Sequence, residues 1–315
     1  MTQANPSSAL TLRIGTRKSP LALWQANWVR DRLLKAHPGL AVELVRMSTE
    51  GDRVLNLPLA QLGGKDIFTK EIENALLEDR VDLAVHSLKD LPTQLPEGLF
   101  LAAVCKREDP RDALVAREAK SLGDLPEGAI VATGSLRRKA QLLGLRPDVR
   151  IVDVRGNVGT RLRKYAEAGW DGMILAKAGL VRMGLEEHIA CVLSPEEMLS
   201  GVGQGALAIE IREGDARTGE LIRGLQDPDT TAETAAERAF LARLEGGCQV
   251  PIAALGIAKG DGLRLDGLVA SLNGTICFRD QTEGAKAEGK SLGRNLAERL
   301  LERGAREILE SIRNG

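Results

Sequence analysis

A repeated pattern constrains this chain more than any other feature: a short apolar run, a turn carrying glycine, serine or arginine, then a helical segment. Leu12-Arg13-Ile14 reads as a strand that turns at residues 16–18, after which Ser19 and Pro20 form the cap and first-turn pair of a helix reaching about Leu34. A strand over residues 42–47, a helix near 69–78, a strand from Val81 and a strand over 100–105 continue the alternation. Residues 106–112 (KREDPRD) form a charged, proline-containing connector that marks a crossing to a second lobe. Beyond it, Ile130-Val131-Ala132 precedes a helix after Ser135, residues 151–154 precede a helix after Asn157, and Met173-Ile174-Leu175 precedes a short helix. The pattern predicts an α/β fold with two βα lobes, and 315 residues suffice for two or three domains.

The character changes after about Asp227. Residues 231–245 (TAETAAERAFLARLE) read as a helix with Ala235, Ala239 and Leu241 near one face, ended by left-handed Gly246 and Gly247. Three strand-like runs follow, around 252–258, 263–271 and 275–278, separated by the hairpin signals Gly260-Asp261-Gly262 and Asn273-Gly274. A long amphipathic helix over about 292–312 closes a small α/β domain with a three-stranded antiparallel sheet. Upstream, residues 48–65 are long and turn-rich, the signature of a lid. Gly201, Gly203 and Ala206 nominally match a dinucleotide fingerprint, but they precede the strand at 206–211 instead of following one and opening a helix.

Composition narrows the function classes. The net charge of -1 provides no global field for nucleic acid or membrane, and aromatics at 3% disfavour base-stacking platforms. Cys105, Cys191, Cys248 and Cys277 lie far apart without CxxC spacing, which argues against zinc and against a disulfide scaffold. The first nine residues lack a basic and apolar leader pattern and read as a frayed tail. With no apolar run near the ~20 residues of a membrane span, the expectation is a soluble cytoplasmic protein without nucleic-acid or membrane partners and without a metal.

Two stretches carry chemistry. In residues 246–251 (GGCQVP), Cys248 follows a helix C-terminus, where the negative dipole end disfavours a thiolate; that setting suits a permanent tether or a packed thiol better than a turnover nucleophile. In residues 81–92 (VDLAVHSLKDLP), an apolar strand gives way to His86, Ser87, Lys89 and Asp90 before Pro92, so a carboxylate stands beyond the end of a buried strand, where ligands collect in open sheets. Arg137 and Arg138 lie in a first helical turn after Ser135, where the dipole disfavours each cation by roughly 0.3–1 kcal/mol. An anionic ligand would offset that cost. The arrangement recurs at Arg17 with Ser19, and at Arg155 with Arg161, so the expected ligand is a polyanion.

RIGTRKSPLAL (13–23), GGKDIF (63–68), HSLKDLP (86–92), GSLRR (134–138), RGNVGTRL (155–162), GQGALAIE (203–210) and GGCQVP together resemble the porphobilinogen deaminase (hydroxymethylbilane synthase) family. The resemblance implies two periplasmic-binding-protein-like lobes plus the C-terminal domain, divided as residues 10–105 with 206–224, residues 106–205, and residues 225–315. It implies a dipyrromethane cofactor joined by a thioether to Cys248, and stepwise addition of four porphobilinogen units. Each unit would lose ammonia to give an azafulvene, and hydrolysis would release hydroxymethylbilane for tetrapyrrole biosynthesis. By residue-level similarity Asp90 is the essential carboxylate. Arg17, Ser19, Lys65, Ser87, Lys89, Thr133, Ser135, Arg137, Arg138, Arg155, Arg161 and Arg182 would bind cofactor or substrate. A monomer with transient hand-over of product to the next pathway enzyme is expected. Gly134, Asp66 and Gln61 depart from residues common in the family. Two competing readings are a two-lobed small-anion binding protein without catalysis, and a cysteine hydrolase using Cys248 with His86.

Overall fold

Three separate hydrogen-bonded sheets divide the described residues. The computed structural model describes residues 11–53, 67–246 and 250–314. Lys65, Cys248, the N-terminal tail, the departures Gln61 and Asp66, and residues 54–65 of the expected lid lie outside the described residues.

In the first lobe, β1 (Thr11–Arg17) leads through Ser19, whose Oγ accepts from Ala22 N, into α1 (Pro20–Ala36). Then come β2 (Ala41–Met47), the short α2 (Glu50–Arg53), α3 (Lys70–Leu77), β3 (Leu83–Ser87) and β4 (Leu99–Val104). The second lobe holds β5 (Asp112–Val115), β6 (Ile130–Ala132), α4 (Leu136–Leu145), β7 (Arg150–Val152), α5 (Val158–Ala168), β8 (Gly172–Ala176), α6 (Lys177–Arg182) and β9 (Cys191–Val192). β10 (Leu207–Arg212) returns to the first lobe, followed by α7 (Ala216–Ile222).

The two sheets share one plan. Their strand orders are β2-β1-β3-β10-β4 and β7-β6-β8-β5-β9, with parallel neighbours on one side and an antiparallel strand inserted beside the third. In each lobe that inserted strand directly follows a crossing. Apolar packing explains the layers: Leu83, Val85 and Ile209 meet Ala26, Val29 and Leu33 of α1, while Ala84 on the opposite face meets Ile72 and Leu76 of α3.

The crossings touch each other. Cys105 N donates to Leu207 O at 3.0 Å and Glu108 N to Gly205 O at 3.1 Å. Gly205 has φ 88°, and a Cβ there would stand 2.4 Å from Glu108 O, so only glycine fits.

The third domain pairs β11 (Ile252–Lys259), β12 (Gly262–Ala270) and β13 (Cys277–Ala285) antiparallel beneath α8 (Pro228–Arg243) and α9 (Gly289–Leu300). Several details differ from the sequence expectation. α8 begins at Pro228, not Thr231, because Asp227 caps it by accepting from Thr230 N at 2.8 Å. Its inward face carries Thr234, Ala236, Glu237 and Phe240, because the fully buried Phe240 ring sets the phase, while Ala235 and Ala239 lie partly exposed. Among the described residues the left-handed one after it is Glu245 (φ 50°), not Gly246, and Gly247 lies outside them. β13 extends to Ala285 through largely polar, half-exposed residues that give no apolar signal. The C-terminal helix is broken: after the wider turn Leu301–Ala305, where Gly304 has φ 115°, α10 (Arg306–Asn314) takes a new start.

Candidate active site

Strand ends from both lobes form one cleft. On the first wall β3 runs out at Ser87 into a single tight turn, Leu88–Asp90, pinned by the buried Leu88 side chain and by Leu88 N donating to Ala206 O. Ser87 Oγ accepts from Gln25 Nε2 at 2.8 Å. Arg17, at the end of β1, holds its Nη1 3.9 Å from Asp90 Oδ2 and its guanidinium 4.3 Å from the Phe68 ring centre. Arg17, Ser19, Ser87 and Asp90 thus line the same pocket.

On the second wall Thr133 Oγ1 accepts from Ser135 N, while the Ser135 side chain makes no capping bond to α4. Gly134 is explained here: a Cβ would meet Val154 O at 2.7 Å. Arg137 and Arg138 are buried and share one carboxylate that the sequence reading left in the connector. Arg137 Nη1 donates to Asp112 Oδ2 at 2.7 Å, Arg138 Nη2 to Asp112 Oδ1 at 2.8 Å, and Gln204 Nε2 to Asp112 Oδ1 at 2.8 Å. The offset to the helix dipole, expected from a ligand, comes from Asp112. Arg138 also donates to Ile174 O, so its donors are largely committed within the protein. Burial alone would raise the Asp112 carboxyl, but the two guanidinium groups outweigh it and hold the carboxyl well below its ordinary range. One carboxylate between two cations leaves a positive charge over.

Asn157 caps α5 by accepting from Thr160 N, and Arg161 Nε donates to Gly156 O at 2.8 Å. Arg155 is buried, and its Nη1 has no hydrogen-bond partner among the described residues. A buried cationic donor in that condition fits an anionic group supplied from outside the chain.

Electrostatics join the walls. Lys89 is reached by solvent inside the cleft yet surrounded by protein. That crowding, opposed by Asp90 and Asp112 and reinforced by Arg138 and Arg137, brings its ammonium down to about 8. Burial first, then Arg138 and Arg155, bring Arg161 down to about 10 against the pull of Asp153 and Asp90. The Asp90 charge therefore acts on a neighbour in its own turn and on an arginine from the opposite lobe. Arg17, Lys89, Arg137, Arg138, Arg155 and Arg161 outnumber the carboxylates Asp90, Asp112 and Asp153 around this cleft. These residues fit a carboxylate-bearing cofactor.

Arg182 goes elsewhere. It is buried at the crossing, donates to Gly205 O at 2.6 Å and stands 5.7 Å from the Trp24 ring centre. Sequence reasoning missed Asp112 and Gln204; the only available signal was an acid directly before the apolar run Ala113-Leu114-Val115.

A two-lobed α/β protein with a cation surplus facing one strand-end carboxylate defines a polyanion-handling class, and the comparisons specify it. Residues 12–220 match the family model "Porphobilinogen deaminase, dipyromethane cofactor binding domain" and residues 231–302 match "Porphobilinogen deaminase, C-terminal domain". A porphobilinogen deaminase of Syntrophotalea carbinolica is 52% identical over 305 residues, 97% of either chain. Among solved structures, the aliphatic sulphonate binding protein SsuA of Escherichia coli aligns at 17% identity and TM-score 0.41 over 75% of this chain and 70% of its own. The OxyR2 regulatory domain of Vibrio vulnificus aligns at 14% identity and TM-score 0.42, over 70% of this chain and 99% of its own. The chain belongs to the porphobilinogen deaminase family. It is an enzyme of tetrapyrrole biosynthesis in the transferase class, built around a dipyrromethane cofactor and acting on porphobilinogen.

Proposed function

We propose that Cys248 carries the dipyrromethane cofactor by a thioether, and that Asp90 is the carboxylate that stabilises positive charge developing on pyrrole nitrogens as ammonia leaves and the next ring is joined. A fixed carboxylate in a partly dry cleft does this better than water, because it needs no reorganisation as the charge develops. When bound, the cofactor would supply the free pyrrole carbon at which the chain of added units begins. Arg17, Ser19 and Ser87 on the first wall, and Thr133, Ser135, Arg137, Arg155 and Arg161 on the second, orient the acetate and propionate groups, with Lys65 and Lys89 contributing. Arg138 acts mainly by holding Asp112, and Arg182 by holding the crossing at Gly205.

The observation that carries this reading is the placement of one carboxylate, Asp90, beyond the end of β3 and 3.9 Å from Arg17, in a cleft whose other wall holds the buried Arg137, Arg138 and Arg155. The sheet membership of β5 and β10 supports the division into residues 10–105 with 206–224, 106–205 and 225–315. A monomer, working in the cytoplasm and passing hydroxymethylbilane to the next enzyme, completes the proposal. Among the described residues no helix is long and apolar enough to cross a membrane.

Intact mass spectrometry tests the attachment. The parent protein should exceed its polypeptide mass by one dipyrromethane, and Cys248→Ala should lose both that excess and hydroxymethylbilane formation. An adduct retained in Cys248→Ala would move the attachment to Cys105, Cys191 or Cys277.

A further inference from the structure

Glu210 lies on β10, on the sheet face it shares with Ala84, His86 and Ala208, and is fully buried. Its Oε2 stands 3.1 Å from His86 Nε2, and its Oε1 has no hydrogen-bond partner among the described residues. A carboxylate withdrawn from water requires positive charge or donors close by. His86 offers a ring nitrogen within hydrogen-bond distance, and positive charge comes from Arg238 of α8, whose guanidinium the Glu210 charge favours against the cost of burial. Arg238 spends its donors on backbone: Nη1 to Leu91 O at 3.3 Å and Nη2 to Pro92 O at 2.6 Å.

The turn that carries Lys89 and Asp90 is therefore bracketed. His86 precedes it and stands 3.1 Å from Glu210; Leu91 and Pro92 follow it and are held by Arg238, whose charge the same carboxylate favours through space. We infer that Glu210 is a positioning residue for the Asp90 turn, gripping it from both ends through His86 and Arg238. Because Arg238 belongs to α8, the third domain takes part in aiming a side chain of the first lobe. The inference rests on the reading of Asp90 as the charge-stabilising carboxylate.

The test is steady-state kinetics on the cofactor-loaded enzyme. Glu210→Gln keeps the shape and removes the charge, so Asp90 loses its aim but the carboxylate-binding cations do not. A misplacement near 1 Å far from the reacting atoms costs on the order of 10²-fold. The expected result is kcat lowered by about 10-fold or more with KM within about twofold, and the Cys248 adduct retained. Arg238→Lys keeps a cation but loses the planar fork that spans two carbonyls, and should give the same split. The double variant should be no slower than the slower single, since both break one device. Parental kcat in Glu210→Gln, a loss carried wholly by KM, or additive losses in the double variant would each overturn the inference. If Glu210→Gln does not fold, Arg238→Lys decides by the same split. Asp90→Asn is measured alongside: parental turnover there means that the reading of Asp90 has failed, whereas a slow Asp90→Asn beside a parental Glu210→Gln sinks this inference alone.

Discussion

Arg137 Nη1 donates to Asp112 Oδ2 at 2.7 Å in a buried contact whose carboxylate also serves Arg138. Removing one member of such a group leaves uncompensated charge in the interior and costs about 3–5 kcal/mol. Asp112→Asn should lose that much in chemical denaturation. The sign of the pH effect follows from the depressed carboxyl: its contribution is fully present above the unfolded value of ~3.9 and is lost as pH falls from there towards the folded value. Between about pH 5 and about pH 3 the parent should therefore lose more stability than Asp112→Asn. Parallel curves would remove Asp112 from the acid response.

Asp90→Asn keeps the shape of the side chain beside Arg17 while deleting its charge. The variant should fold, keep the mass of the cofactor, and turn over porphobilinogen about 10²-fold more slowly or worse. Asp90→Glu should retain more activity than Asp90→Asn. A rate near the parent's in Asp90→Asn would refute the electrostatic role.

With its ammonium at about 8, Lys89 is charged below that pH and neutral above it. If it orients a substrate carboxylate, kcat/KM should decline as pH rises through about 8, and Lys89→Arg should carry the plateau to higher pH because guanidinium stays protonated. Stability moves the other way. The folded value lies below the unfolded ~10.4, so keeping Lys89 charged in its crowded, solvent-reached position costs stability below about pH 8, and the cost fades above it. Identical kcat/KM profiles for parent and variant would assign the decline to another group.

Arg155 offers a buried Nη1 without a partner among the described residues, so Arg155→Leu should fold with little change in thermal midpoint. A lost charge-assisted bond to a ligand carboxylate is worth ~1.5–3 kcal/mol, which corresponds to a KM rise of about 10-fold or more. Kinetics and the fraction of protein carrying the cofactor mass measure it; an unchanged KM would return Arg155 to a packing role.

What could be read without coordinates was local. Strands such as β3 and β8 declare themselves by apolar runs, and the caps Ser19 and Asn157 by residue type. Asp112 was hidden because its meaning depends on β5 lying beside β8, which brings the carboxylate under the first turn of α4; in sequence it is one more charge after Arg111. By similarity Arg182 reads as a ligand group, and what the sequence does not show is that α6 brings it to the crossing, where Gly205 O takes one of its donors. β13 runs beyond its apolar signal because a half-exposed edge strand is written in polar residues, and nothing in the amphipathic pattern records the left-handed turn at Gly304 that separates α10 from α9.

The insertion of β10 between β3 and β4 also sets an order for building the molecule. As the chain leaves the ribosome, the first lobe lacks a central strand until Arg212 has been made, so β3 and β4 wait with their facing edges unpaired. The other lobe draws all of its strands from the continuous stretch between Asp112 and Val192. The lobe synthesised second is thus the first able to close its sheet, and it presents a folded neighbour against which the older, unfinished half of the chain completes itself.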